Sequence, residues 1–248
     1  MSETTAAPSS LAKASFFVAI GLLLLLPLSV LGVRLDIWHY SIGLMLCVIS
    51  LAGSFMLQII LAIWLLRKPA IATKRQLRKT SLAALPPLLV AAVIIRQSGD
   101  KPVIHDITTD TQQPPEFSFL VDVRGEDSND LTIKPEVISA QRKAYPQIKP
   151  LLSNLSAEQA LNQAISTCQE MGWQIQQVNR KAGKIEASAT TRWFAFVDDI
   201  VIRVKPSPDG SGSVIDLRSV SRVGESDLGA NARRIEAFIK AFQDSSTY

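Results

Sequence analysis

The chain has 248 residues, a mean hydropathy of +0.20 and a formal net charge of +4, with its apolar residues concentrated before Arg96. Residues 1–99 contain nine Lys and Arg against two acidic residues, a net charge of +7, whereas residues 100–248 contain 17 against 20, a net charge of −3. A nucleic-acid-binding domain needs a basic face, so this distribution excludes nucleic acid as a partner. The chain has two cysteines, Cys47 and Cys168, and two histidines, which are too few for a zinc site. Cys168 is the one cysteine of residues 100–248, so no disulfide can form within this part. We therefore expect no metal, no cofactor and a buried thiol at Cys168.

Three apolar segments precede the polar part of the chain, and we predict that each is a transmembrane helix. They lie at about residues 14–33, 41–66 and 80–95. The first two are long enough to span a bilayer. The third has 16 residues, including Pro86 and Pro87, and would cover about 24 Å of a core of about 30 Å. We expect it to span nevertheless, because it is almost free of polar groups and is bounded by Lys79 and Arg96.

The segment Arg67 to Lys79 carries six positive charges and no acidic residue, and we predict that it is a cytoplasmic loop. The N-terminus is then also cytoplasmic. If residues 80–95 span the membrane, residues 100–248 form an extracytoplasmic domain; if they do not, this domain is cytoplasmic. We expect the first arrangement: residues 1–99 form a membrane region in a bacterial inner membrane, and residues 100–248 form a periplasmic domain.

The first half of the second part contains short predicted elements. Val103–Ile107 is a candidate strand, Phe117–Val123 a strand or an apolar anchor, and Pro135–Ala144 a short helix. A longer helix begins after Ser156, which forms a capping box with Gln159.

Four strands in a meander follow, because apolar and polar residues alternate in each. They begin near Trp173, Lys184, Ile200 and Ile215. Asp198 and Asp199 precede the third strand, and we predict a solvated turn there rather than a metal pair, because a third ligand is missing. After the fourth strand, a second amphipathic helix is predicted from the apolar stripe Leu228, Ala232, Ile235, Ile239 and Phe242.

The predicted fold class is α+β, with three transmembrane helices followed by an antiparallel sheet of four or more strands packed by two helices. Both helices have one apolar face and should cover the same side of the sheet. The other side carries Arg203, Asp216 and Arg218, or Arg192 and Ser188, depending on the strand register.

The segment Ile215–Phe242 contains the densest cluster of charged, hydroxyl and glycine residues. We expect an ion pair between Asp216 and Arg218, and Ser226 as the N-cap of the last helix. The helix start could bind an anion; alternatively, the chain's own carboxylates satisfy these groups. The candidate ligand-binding residues are Arg218, Ser219, Ser221, Arg222, Ser226, Asp227 and Asn231, with Asp216 and Arg203 in support. No catalytic residue is expected.

The run RSVSRVGESDLGANARRIEAF resembles the signature of domain-of-unknown-function family 1499, a family of bacteria and plastids. The matching residues are Asp216, Arg218, Ser219, Ser221, Arg222, Gly224, Ser226, Asp227, Gly229, Asn231, Arg234 and Ile235. The resemblance covers about residues 103–242. It implies a fold and an envelope setting, but it implies no activity and no catalytic residue.

These features predict an uncharacterised inner-membrane protein with a non-catalytic binding module outside the cytoplasm. The expected partners are membrane lipids, an envelope protein or a cell-wall component. The alternative is an envelope hydrolase with an arginine-lined anion site that uses His105 or the Asp198–Asp199 pair for proton transfer. Geometry discriminates the two, because an enzyme needs these groups around one cleft, whereas fully paired arginines favour a binding or structural role.

Overall fold

The computed structural model describes residues 7–99 and 101–245, which form two compact units divided near Gly99. The first unit is helical. Its elements are α1 (Ser10–Arg34), α2 (Tyr40–Leu66), α3 (Ile71–Ala83) and α4 (Leu85–Ser98). Within the described residues, three helical segments are long and apolar enough to cross a membrane, the third being α3 and α4 together. The prediction of three candidate spans is therefore confirmed, and the chain is a membrane protein.

The basic segment after the second span is mostly helical and begins the third candidate span, so the prediction of a loop from Arg67 to Lys79 was wrong. Helix α3 begins at Ile71 because Thr73, Leu77 and Thr80 form a buried stripe at helical spacing. The cations lie on the opposite, exposed side of this helix. They are Lys74, Arg75, Arg78 and Lys79.

A proline pair interrupts the third span between α3 and α4. Pro86 and Pro87 have no backbone N–H, so they cannot continue the hydrogen-bond ladder of α3. Gln58 of α2 forms two hydrogen bonds with Ser81, beside this break. Its Nε2 donates to the Ser81 carbonyl at 2.8 Å, and its Oε1 accepts from the Ser81 hydroxyl at 2.8 Å. An interhelical amide of this kind satisfies backbone groups that a membrane cannot.

The second unit combines six strands with four helices among its described residues. The helices are α5 (Leu120–Val123), α6 (Pro135–Ala144), α7 (Ala157–Glu170) and α8 (Ala230–Ser245). The strands are β1 (Asp106–Thr108), β2 (Leu151–Ser153), β3 (Gln174–Asn179), β4 (Lys184–Thr190), β5 (Val197–Pro206) and β6 (Ser213–Ser221). All pairings are antiparallel, in the order β1-β6-β5-β4-β3, and β2 also pairs with β6. The α+β fold class is confirmed.

One face of this sheet is covered by α7 and α8, as predicted. The contacting core residues include Leu161 and Cys168 of α7, Ile235, Phe238 and Phe242 of α8, and Ile185, Ile200, Ile202, Ile215 and Leu217 of the sheet. Ser156 forms the predicted capping box of α7. Burial raises the pKa of the Cys168 thiol to about 12, which makes it unreactive.

The second face of the sheet is covered by the segment 110–133, which we call the strap. The prediction of a strand at Phe117–Val123 was wrong, since this part of the strap contains the short helix α5. The alternative, an apolar anchor, is what the structure contains: Phe117 and Leu120 pack on Val201 and Val220. An apolar contact thus fixes the centre of the strap.

The last helix begins later than its apolar stripe predicted. Leu228 was expected on that stripe, but it precedes α8, is 40% exposed and has a φ of +51°. The Asp227 carboxylate accepts hydrogen bonds from the backbone N–H groups of Gly229 and Asn231, at 2.7 and 2.8 Å. This local turn ends at Gly229, so Leu228 lies outside the helix. Within α8, Phe238 contributes an aromatic side chain to the core.

Candidate functional site

The nine candidate residues do not form one site, because β6 presents alternate side chains to opposite faces of the sheet. Arg218 and Asp216 face the strap, together with Arg203 of β5. Ser219 and Ser221 face α8. Residues that are adjacent in the signature are therefore separated by the thickness of the sheet.

Arg218 is 3% exposed and joins three parts of the domain. Its Nε and Nη2 donate to the two carboxylate oxygens of Asp106 in β1, at 3.1 and 2.7 Å. The same guanidinium donates to the carbonyls of Pro115 and Leu131 in the strap and lies 5.4 Å from the ring centroid of Phe117. These contacts engage the groups with which Arg218 would otherwise bind an anion.

The prediction of an ion pair between Asp216 and Arg218 was wrong. Asp216 pairs instead with Arg203, whose Nη2 and Nε lie 2.7 and 3.2 Å from its Oδ2. The two residues are directly opposite each other on β5 and β6, and directly opposed side chains on neighbouring strands are closer than residues i and i+2 of one strand. Arg203 also binds Asp110 and the Gln113 carbonyl, so it too fastens the strap.

Asp199 is fully buried within β5, so the predicted solvated turn at Asp198 and Asp199 was wrong. Its carboxylate accepts from Arg124 at 2.8 Å, from Arg222 at 2.9 Å and from the Ser188 hydroxyl at 3.0 Å. Burial lowers the pKa of Arg124, although the Asp199 carboxylate opposes this effect. Two arginines thus compensate for burying this carboxylate.

Glu186 is a further buried carboxylate on this face, and sequence reasoning did not single it out. Its Oε1 accepts from the backbone N–H and hydroxyl of Ser118, and its Oε2 accepts from the Leu120 N–H at 2.8 Å. Burial alone would raise the pKa of the Glu186 carboxyl, but these hydrogen bonds outweigh it and lower the pKa. Its alternation with Ile185 and Ala187 was the available indication that it faces away from the core.

The opposite face has its own polar cluster between β6 and α8. The Asn231 Nδ2 donates to the Ser221 hydroxyl at 3.0 Å and to the His105 carbonyl at 2.9 Å, and its Oδ1 accepts from the Ser219 hydroxyl at 2.7 Å. Arg234 also donates to Ser219 and forms an ion pair with Asp198. Burial raises the pKa of the Asp198 carboxyl, which the Arg234 charge partly opposes.

Sequence reasoning missed Asp198 and Arg234 as members of this cluster. Asp198 lies two residues before Ile200, so extending the period of β5 backwards would have placed it on the core side. Asp198 and Asp199 lie on opposite faces of β5 and cannot act together as a metal pair. Among residues 7–99 and 101–245, no group of three or more His, Cys, Asp or Glu residues could hold a metal ion.

At the start of α8, where the sequence left open an anion site or the chain's own carboxylates, the structure places the Asp227 carboxylate. Asp227 accepts from two backbone N–H groups there at 2.7 and 2.8 Å, whereas the Ser226 hydroxyl accepts from the Leu228 N–H at the longer distance of 3.4 Å. Asp227 therefore takes the capping role expected of Ser226, and its charge suits the positive end of the helix.

Two cavities border the strap, and we call them together the strap groove. The first, of about 540 Å³, is lined by Thr111, Pro114, Ile133, Pro135, Ile138, Ser139 and Arg142. The second, of about 450 Å³, is lined by Pro114, Glu116, Phe117, Val121, Leu131, Thr132, Ile133 and Arg218. They share Pro114 and Ile133, and of the nine candidate residues Arg218 lines the second. Arg142, at the edge of the first, donates to the Thr111 hydroxyl at 3.0 Å.

The extent of this α+β unit agrees with a family comparison. The family model described as "Protein of unknown function (DUF1499)" matches residues 106–242, from the first residue of β1 to a core phenylalanine of α8. The match covers more than half of the chain, so the chain belongs to this family. No curated protein matches the sequence.

Proposed function

For this member of the DUF1499 family, we propose a non-catalytic role: the α+β domain is a membrane-anchored module that binds a component of the bacterial envelope. The observation that supports this proposal is the pairing of the buried arginines. Arg203, Arg218 and Arg222 each bind a carboxylate of the chain, and each pair is at least partly buried. Charges neutralised in this way build a rigid scaffold, and they offer little to stabilise charge developing on a substrate.

The proposed location is the bacterial inner membrane, with the N-terminus in the cytoplasm and the α+β domain in the periplasm. The exposed cations of α3, at the start of the third candidate span, support this orientation, since the cytoplasmic ends of spans are enriched in Lys and Arg. Three spans then carry the chain to the other side. An alkaline phosphatase fused after Tyr248 tests this proposal: activity is expected, whereas an inactive enzyme at normal abundance would contradict it.

The strap groove is the proposed binding surface. Its volume is in the range of small-ligand sites, and such sites are mostly apolar with a few polar groups. Pro114, Ile133 and Ile138 supply apolar contacts, and Arg142 supplies a cation at the edge. The partner would be a lipid headgroup, a cell-wall component or a segment of an envelope protein, each of which can combine apolar and anionic groups.

Cross-linking in the intact membrane tests this role and also identifies the partner. A photo-reactive residue replaces Ser139, which lines the groove and is exposed, and cross-linked products are identified by mass spectrometry. A specific product is expected, and adding Ile138→Asp should abolish it. Leu152→Asp is the matched control, because Leu152 is 73% exposed and lines neither cavity. A product that survives Ile138→Asp, or none in the unaltered chain, would contradict a partner in this groove.

A further inference from the structure

The loop between β4 and β5, residues 191–196, has the sequence TRWFAF and carries the most exposed aromatic side chain of the described α+β unit. Trp193 is 74% exposed. The base of the loop is fixed by a hydrogen bond from the Thr191 N–H to the Phe196 carbonyl, at 2.8 Å, and by one from the Phe196 N–H to the Thr191 hydroxyl, at 2.9 Å. The rings of Phe194 and Phe196 stack at 5.7 Å. The tryptophan is thus presented on an ordered turn.

This loop lies at the end of the domain where the chain enters from the membrane region. Three backbone hydrogen bonds connect the entering chain to the base of the loop through the end of β6. The N–H of Ser221 donates to the His105 carbonyl, that of Asp227 to the Ile104 carbonyl, and that of Arg222 to the Val197 carbonyl, at 2.9, 3.1 and 3.0 Å. Strands β4 and β6 run towards this end of the sheet, and β1 and β5 begin there.

A short covalent linker joins this end of the domain to the third candidate span. The third candidate span ends at Ser98, and β1 begins at Asp106. The seven residues between them, 99–105, reach at most about 25 Å when fully extended. A linker of this length leaves the bilayer within reach of the end of the domain that carries Trp193.

Other exposed apolar residues share this end of the domain. Val103, in the entering chain, is 69% exposed, and Leu228, in the loop after β6, is 40% exposed. Lys101 lies beside Gly229 in the same region, and Arg192 precedes the tryptophan. Tryptophan with neighbouring aliphatic and basic side chains is the composition that settles at a membrane–water interface.

We propose that the TRWFAF loop is a membrane-docking element: Trp193 inserts into the headgroup region of the bilayer that holds the spans, with Val103 and Leu228 beside it. The partner is the lipid surface itself. Acidic residues also lie at this end, among them Glu225 and Asp227, so aromatic insertion rather than attraction to anionic lipid accounts for the binding. The proposal does not depend on any occupant of the strap groove.

The test uses the full chain, labelled with 5-fluorotryptophan, in nanodiscs of zwitterionic phosphatidylcholine. The chain has four tryptophans, and the fluorine resonance of Trp193 is assigned as the one lost in Trp193→Phe. Its broadening is measured with a nitroxide attached to the lipid and, separately, with a water-soluble gadolinium chelate. Trp173, which is 8% exposed in the core, is the internal control.

The expected result is loss of the Trp193 resonance with the lipid nitroxide, and its retention with the gadolinium chelate. The Trp173 resonance should persist in both. Loss of the Trp193 resonance with gadolinium chelate, as for a side chain in water, would overturn the proposal. Retention with both reagents would also overturn it, because protein rather than lipid would then cover the loop.

Discussion

The carboxylate of Asp106 and the guanidinium of Arg218 form a two-point ion pair that joins residues 112 positions apart. One residue begins the first strand of the domain, and the other lies in its last strand. The strap is held against the same guanidinium through its backbone carbonyls. The first arginine of the signature therefore joins the beginning of the fold to its last strand, and this relationship determines what substitutions should do.

Asp199 should be among the most sensitive positions of the domain, because its replacement leaves two arginines without their carboxylate. We expect Asp199→Ala to lower the free energy of unfolding by about 3–5 kcal/mol, the usual cost of breaking a buried pair. Arg124→Ala should cost more than Arg222→Ala, since the Arg124 side chain is 5% exposed and that of Arg222 is 24% exposed. Denaturant unfolding of the full chain in detergent measures all three. Small losses of unfolding free energy that are equal in the three variants would contradict the buried role of Asp199.

The Glu186 carboxylate should make the stability of the strap depend on pH. Its pKa is lowered in the folded domain from the ordinary value of 4.5, so the stabilisation it provides is complete above that pH and is lost as the pH falls through the folded pKa. The protection factors of strap amides, which correct for the slower intrinsic exchange in acid, should therefore fall below about pH 4.5. Glu186→Gln should weaken the strap at pH 7 and remove this component of the pH dependence. An unchanged acid profile in Glu186→Gln would show that other groups dominate.

Asn231 should be essential for packing α8 on the sheet. Asn231→Ala removes the amide's hydrogen bonds to the Ser219 hydroxyl, the Ser221 hydroxyl and the His105 carbonyl, and each such bond typically contributes about 0.5–1.5 kcal/mol. Asn162→Ala is the control, because Asn162 is exposed and binds only the exposed Arg180 by its side chain, as far as the described contacts go. Thermal unfolding should separate the two variants clearly. Similar melting temperatures would contradict the buried role of Asn231.

Gln58 should stabilise the proline-broken third span. Gln58→Leu removes two interhelical hydrogen bonds to Ser81, whereas Ser81→Ala removes only the one made by the hydroxyl. At about 0.6 kcal/mol for each such bond, Gln58→Leu should destabilise the membrane unit about twice as much. Thermal unfolding in detergent measures the order, with Ser98→Ala as the control. A Ser81→Ala variant less stable than Gln58→Leu would contradict this assignment.

The sequence predicts most regular elements of the domain because their periods are clear. Alternation in β5 and β6 and the stripe of α7 place Ile200, Leu217 and Leu161 in one core, and they are there. The short strands β1 and β2 cannot be delimited in this way, since three residues carry almost no periodicity. The pattern of the strap indicates a loop and a candidate strand, because its apolar anchors and its hydrogen bonds depend on residues far away in the chain.

The candidate residues are close together in sequence, but the structure separates them in space. A strand sends neighbours to opposite faces, so Arg218 and Ser219 contact different layers. The partners that neutralise the arginines, Asp106 and Asp199, lie in other strands, and no local pattern identifies such pairs. What the sequence alone supports is that the chain's own carboxylates satisfy some of these groups, and Asp227 at the start of α8 is one example.

The signature arginines hold the domain together, and Arg218→Ala is the substitution that probes this role. Hydrogen exchange and denaturant unfolding of the intact chain should show loss of protection in β1 and the strap, and a loss of about 3–5 kcal/mol in unfolding free energy. Arg180→Ala, at an exposed arginine, should change little. If Arg218→Ala kept normal protection and stability but lost its cross-linked envelope partner, Arg218 would be a binding residue and this account would be contradicted.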